Sequence, residues 1–318
     1  MKTVKLALVS VFSLFCLLSF CEEAVKPSVD NTNTAKKDFS IVASFYPIYI
    51  EAMNIAAGIP GVTVKNMIKS SAGCLHDYQF TPEDMKNLLN SDAFIINGAG
   101  MESFVDQAIK ERSDLKIINA SEEISLIKEN KKDPEKNASI FGWFGGSSKE
   151  VNGHVWLSVT NAVKQVNNIA IGLAKADPAH KDAYYKNADA YIVKLEALKT
   201  KIHDDLKKLK NRKIITFHEA FPYFAREFDL ETVAVIEIEP GSEPSSDEMA
   251  ATIRKIWKSG AKAIFVEPQY PAKSADAIAR ETDSKVYILD PVVSGPDDPD
   301  AYIKIMEKNL EVLKKALK

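Results

Sequence analysis

The chain has 318 residues, 46% of them apolar, enough for two ordinary domains or one large one. Its 41 basic and 44 acidic residues leave a net charge of −3, which excludes both a basic nucleic-acid surface and an acidic solvating tail. Of the three cysteines only Cys74 lies in the body of the chain, so no intrachain disulfide framework is expected there.

The N-terminus reads as an export signal. MKTVK supplies two lysines, and the apolar run LALVSVFSLFCLLSF that follows is too short for a comfortable membrane span. Cys21 ends this run, and an apolar stretch ending in Cys resembles a bacterial lipoprotein signal, in which that Cys is acylated and becomes the new N-terminus. Phe20 departs from that pattern, being bulky where a small residue is usual. Residues 1–21 are therefore expected to be a lipoprotein-type signal peptide with Cys21 as the lipidation site. Residues 22–38, EEAVKPSVDNTNTAKKD, hold few large apolar side chains and are expected to be a flexible tether. No later segment is an uncharged apolar stretch of membrane-spanning length, so the body is expected to be a soluble one, exported to the periplasm or cell surface.

Eight short β-rich runs follow. They are SIVASF (40–45), VTVKNMI (62–68), AFIIN (93–97), LKIIN (115–119), KIITF (213–217), TVAVIEI (232–238), KAIFVE (262–267) and KVYILD (285–290). Most are continuously apolar, the pattern of parallel strands covered on both faces. Helical patterns separate them, such as DEMAATIRKIWKSG (247–260) with its terminal Gly stop. The pattern predicts an α/β fold of two (β/α)4-type lobes with central parallel sheets, 39–177 and 211–318. Between the lobes, residues 178–210 place Tyr184, Ala188, Tyr191, Leu195, Leu198, Ile202, Leu206 and Leu209 on one helical stripe. Asp177 is the expected N-cap and Pro178 the first helical residue. The result would be one rigid helix of roughly 45–50 Å. One segment, 121–153, lacks any period and is expected to be a long mobile loop with a single aromatic cluster, FGWF, at 141–144.

The five histidines divide into two groups. His180 and His203 lie on the linking helix and read as solvated surface residues. His76 follows the strand-like run VTVKNMI, His154 stands at the threshold of a helix, and His218 directly follows KIITF. The sequence FHEAFPYF around His218 is not a zinc-protease helix, because Pro222 stands where the second His of H-E-x-x-H would be. Asp290 ends KVYILD in the same way that His218 ends its strand. Open α/β sheets bind ligands beyond the carboxyl ends of their strands. Three imidazoles and one carboxylate supplied from both lobes would offer Zn²⁺ four protein ligands in the cleft between them.

With these residues in view, the chain resembles the metal-binding lipoproteins of bacterial zinc and manganese ABC importers, the cluster A-I solute-binding proteins. The resemblance covers about residues 40–318. It rests on HDYQFTPEDMKNLLNSDAFIINGAGMESFVD (76–106), GHVWLSV (153–159), FHEAFPYFAREFDLE (217–231), SEPSSDEM (242–249), IFVEPQYPAKSADAIARET (264–282) and VYILDPVVSGPDDPDAY (286–302), in the family order. It implies two lobes joined by a rigid helix, and metal ligands at His76, His154, His218 and Asp290. It also implies an extracytoplasmic protein, expected to be monomeric and held to the membrane by its lipid, that captures a metal ion and delivers it to a membrane permease.

Zinc members often carry a His-rich loop before the second ligand, whereas residues 121–153 here are rich in Lys, Asn and Gly. Cys74, two residues before His76, is outside the usual pattern. Glu219 and Glu267 lie close to the ligands in sequence and are expected to support a ligating His rather than to bind metal themselves. Manganese members commonly have a carboxylate at the third position. His218 at that position, giving three nitrogens and one oxygen, favours Zn²⁺ as the transported ion, with Mn²⁺ the alternative. A zinc hydrolase would need an open coordination position and a general base, and Asp290 as fourth ligand closes that position, so no enzyme is expected. Lipoproteins of this family are also described as adhesins, a role that nothing in the residues decides.

Overall fold

Eight short strands build two separate four-stranded sheets in the computed structural model, which describes residues 38–68, 78, 80–102, 112, 114–128, 151–236 and 244–318. Strands β1 (Phe39–Ala43), β2 (Val62–Asn66), β3 (Ala93–Ile96) and β4 (Lys116–Asn119) lie in the order β2-β1-β3-β4. Strands β5 (Lys213–Thr216), β6 (Glu231–Val235), β7 (Ala263–Val266) and β8 (Lys285–Ile288) repeat that order as β6-β5-β7-β8. All pairings are parallel, as the apolar runs predict. Burial separates centre from edge. The central strand β7 is buried at all four positions, whereas the edge strand β2 alternates between half-buried and exposed along VTVKN. Continuous apolarity thus marks the strands covered on both faces, and alternation marks the edges.

Helices fill the crossovers. In chain order they are α1 (Tyr46–Ile55), α2 (Pro82–Leu89), α3 (Val159–Ala176), α4 (Lys181–Leu206), α5 (Pro222–Glu227), α6 (Ser246–Ser259), α7 (Lys273–Thr282) and α8 (Ala301–Ala316). Capping boxes start α2 (Thr81 with Asp84) and α6 (Ser245 with Glu248), and Gly260 ends α6 in the left-handed conformation open to glycine. The largest apolar core runs from the first sheet through α1, α3, α4 and α8 and takes in Phe221, Phe224, Phe228 and Phe265 of the second half. A smaller core under α6 and α7, including Ile215, Phe217, Ile256, Ile264 and Ile278, covers the other face of the second sheet.

The linking helix keeps its stripe but not its full span. Tyr184, Ala188, Tyr191, Leu195, Leu198, Ile202 and Leu206 are all buried. A 3-10 turn occupies Pro178–His180, and α4 runs for 26 residues, about 39 Å. Asp177 does not cap it. Its carboxylate accepts from Tyr184 Oη at 2.9 Å and pairs with His180 Nδ1. His180 is therefore a half-buried, bonded residue and not a solvated one, because the 3-10 turn swings its ring onto Asp177. His203 is exposed, as expected, with its ring 4.8 Å from that of Phe228. At the other end Leu209 N–H bonds the Leu206 carbonyl, a tightened turn that closes the helix.

Candidate metal centre

His154 reaches the site through a short, tightly specified run. Asn152 and Gly153 precede it, and a 3-10 turn (Val155–Leu157) leads from it into α3, which is capped by Ser158. Gly153 packs closely there, and a Cβ would push the tip of Met101 aside, its Cε lying 2.7 Å away. Asn152 Oδ1 accepts from His154 N–H at 3.0 Å and lies 3.2 Å from His154 Nδ1. Asn152 Nδ2 donates across to the Glu219 carbonyl at 2.7 Å, in the loop that carries His218. Tyr223 Oη donates to the Asn152 carbonyl at 2.8 Å and accepts from Ile127 N–H at 2.9 Å. Lys128 and Val151 form an antiparallel bridge, and Ser121 and Ile124 are buried, so residues 121–128 and 151–153 are fixed in the fold and not part of a mobile loop as expected, while 129–150 lie outside the described residues.

His218 extends from the end of β5 and is almost fully buried. Its Nδ1 lies 2.7 Å from Glu267 Oε2, at the end of β7. A carboxylate beside Nδ1 favours the proton on that nitrogen and fixes the orientation of the ring. His154 Nε2 and His218 Nε2 are 3.3 Å apart, with ring centroids at 5.1 Å. The structure thus joins one histidine from each half.

Asp290 follows β8. Its Oδ1 accepts from Val292 N–H at 2.8 Å, and Asn309 brackets its backbone, accepting from Asp290 N–H and donating to its carbonyl. Val292 takes φ of 61°, a strained conformation for a β-branched residue, in the turn that follows Asp290. Burial raises the Asp290 carboxyl above its ordinary range, and the charge of Glu267 adds to the rise, while Val292 N–H and Lys308 oppose it. Glu219 is half-buried and raised by burial, with His218 opposing. Trp156 links the two sides: its ring is 5.2 Å from His154, and its Nε1–H donates to the Pro291 carbonyl at 2.8 Å. Among the described residues no three His, Cys, Asp or Glu side chains meet as a complete ligand set. His76, Cys74, Cys21 and the 141–144 aromatic cluster lie outside them.

Sequence reasoning singles out His154, His218, Asp290 and the supporting Glu267, but it misses Asn152, Trp156 and Tyr223. The one local signal for Asn152 is its place two residues before His154, where a short amide can reach the imidazole.

The family model described as "Zinc-uptake complex component A periplasmic" matches residues 41–316. The chain belongs to this family. It is 31% identical over 314 residues to the high-affinity zinc uptake system protein ZnuA of Bacillus subtilis, covering 96% of both chains. It is 28% identical over 324 residues to the zinc-binding lipoprotein AdcA of Streptococcus pneumoniae, covering 99% of this chain but 61% of that one. Among solved structures, the laminin-binding protein of Streptococcus agalactiae, described as having adhesin and metal-transporting activity, superposes with a TM-score of 0.75 at 28% identity, over 88% of this chain and 100% of that one. Family membership places this chain among extracytoplasmic metal-binding components of ABC uptake systems. No helix among its described residues is long and apolar enough to cross a membrane.

Proposed function

We propose that this protein is the extracytoplasmic solute-binding component of a zinc ABC importer, and that His76, His154, His218 and Asp290 hold the ion. The observation that carries the reading is the 3.3 Å separation of the two Nε2 atoms. Two nitrogens bonded to one tetrahedral zinc at about 2.0–2.1 Å stand about 3.3–3.4 Å apart, whereas a right-angled pair at the same bond length stands about 2.9 Å apart. Glu267 beside Nδ1 of one ring and Asn152 near Nδ1 of the other favour tautomers in which the two Nε2 atoms carry the lone pairs. A closed set of three imidazoles and a carboxylate suits capture and not hydrolysis. The lipid on Cys21 would tether a monomer to the membrane beside its permease.

The mechanism is binding and handover. Neutral imidazoles take up the ion, so acid works against capture. The linking helix α4 is locked into the shared core at seven buried positions, which opposes a wide hinge motion. Release then falls to the loops that carry the ligands.

The test is metal content and Zn²⁺/Mn²⁺ competition on the soluble form, residues 22–318, beside His218→Ala and Asp290→Ala. One tightly held zinc, poorly displaced by manganese, is expected. Zinc-finger-like binding of about 10–16 kcal/mol shared over four ligands implies a loss of roughly 2.5–4 kcal/mol in each variant. Retention of manganese under competition would assign the importer to that ion. Two variants that bind like the parent would place the site elsewhere.

A further inference from the structure

A second polar cluster lies away from the metal centre and is independent of the zinc reading. Glu51 sits on α1 with 1% of its surface exposed, at a position where the helix otherwise buries Tyr46, Ile48, Ile50 and Ile55. Neither of its carboxyl oxygens has a hydrogen-bond partner among the described residues. The same holds for the hydroxyl of Tyr191, which is 2% exposed on α4. Tyr191 and Tyr302 of α8 lie in the same buried core as Ile50 and Ala52, which flank Glu51, and the charge of Glu51 acts on both hydroxyls. Tyr302 Oη donates to the Trp156 carbonyl at 2.7 Å, which leaves its oxygen able to accept.

A protein of this size does not leave three polar atoms in one apolar junction uncompensated without cost. A direct bond between Glu51 and Tyr191 would satisfy one oxygen and strand the other. A water molecule with two to four polar partners satisfies both sides at once. We propose that Glu51, Tyr191 and Tyr302 form an internal water-binding site that ties α1 of the first half to α4 and to α8 of the second. Its partners reach the metal centre, because Trp156, which accepts from Tyr302, also bonds Pro291 beside Asp290.

The protonation state follows from the surroundings. Burial raises Glu51 well above the ordinary carboxylate value. The titratable groups linked to this cluster are Tyr191 on α4, Tyr302 and Asp300 on or beside α8, and Glu227 at the end of α5, none of them a cation. Glu51 therefore serves as a neutral acid, donating one hydrogen bond and accepting others. Its folded value lies above its unfolded one, so its contribution to stability is complete below the ordinary carboxylate range and is lost as pH rises toward the raised value.

Two measurements on the soluble form test this. A high-resolution crystal structure should show ordered water bonded to both Glu51 and Tyr191. Melting temperatures of the parent, Glu51→Gln and Tyr191→Phe should be followed from about pH 5 to about pH 9. The parent is expected to lose stability relative to Glu51→Gln as pH rises, and Tyr191→Phe to melt about 2–4 °C lower than the parent. Glu51 bonded directly to Tyr191 with no water between them would overturn the proposal. So would a difference between the parent and Glu51→Gln that stays constant with pH. Should Tyr191→Phe fail to fold, the parent crystal structure decides alone.

Discussion

The two sheets share one topology and each has a buried glutamate beyond its third strand in chain order, six residues past β3 and directly after β7, but the two glutamates have different tasks. In the first half Ser44 follows the central strand β1, and Glu102 lies in the loop after its neighbour β3. In the second half His218 follows β5, and Glu267 follows β7. Glu102 Oε1 accepts from Ser44 Oγ–H and Asn97 N–H, both at 2.7 Å, and its Oε2 accepts from Gly98 N–H at 3.0 Å. Glu267 gives one oxygen to His218 Nδ1, and its Oε1 has no partner among the described residues. The first carboxyl closes a loop. The second holds the His218 ring. Beyond matching strands, one buried carboxyl is occupied by Ser44 and backbone donors and the other by an imidazole.

The largest effect expected from this comparison is on stability, through Glu102. Burial pushes it from its ordinary 4.5 up to about 7, against the pull of Ser44, of the Asn97 and Gly98 N–H groups and of its own backbone N–H. The folded state therefore holds a proton that the unfolded chain has released, and stability falls as pH rises through that window. The loss is up to about 3 kcal/mol. Denaturation midpoints measured from about pH 4 to about pH 8 should show this slope, and Glu102→Gln should flatten it. An unchanged slope in the variant would mean that another group is responsible.

The counterpart change, Glu267→Gln, should leave folding largely intact and weaken zinc binding. Outer partners of ligating histidines typically contribute about 10–100-fold to affinity, or about 1.4–2.7 kcal/mol. Chelator competition reads this directly. Ser44→Ala, the matching change in the first half, should cost stability but leave zinc affinity within about twofold, because no ligand depends on that hydroxyl. Equal loss of affinity in both variants would erase the distinction between the two carboxyls.

How much of this was legible in the sequence follows from what is local. The eight strands could be read because each carries its own apolar run, and the linking helix because its stripe repeats every three or four residues. His154, His218 and Asp290 could be picked out because strand ends and helix thresholds are recognisable along the chain. The Ser44–Glu102 and Tyr223–Asn152 bonds could not, since they join residues 58 and 71 apart. Only the packing of the sheets decides that they meet. His180 shows the converse: its helical position suggested solvent, and a local 3-10 turn gave it a partner.

A smaller loss of affinity than for Glu267 belongs to Asn152, its neutral counterpart. Its amide oxygen serves His154 and its amide nitrogen serves the Glu219 carbonyl, so one side chain aligns a ligand and bridges the halves. Asn152→Ala should lower zinc affinity by up to about tenfold, less than Glu267→Gln, because an amide 3.2 Å from the ring polarises it less than a carboxylate at 2.7 Å. Asn152→Asp separates the two duties. The carboxylate keeps an acceptor beside His154 but offers no donor to the Glu219 carbonyl, which it repels. Zinc affinity should recover relative to Asn152→Ala, while the denaturation midpoint should stay low. If Asn152→Asp restored stability without affinity, the bridge to Glu219 would not be what the amide nitrogen contributes, and the orienting role of the oxygen would fail with it.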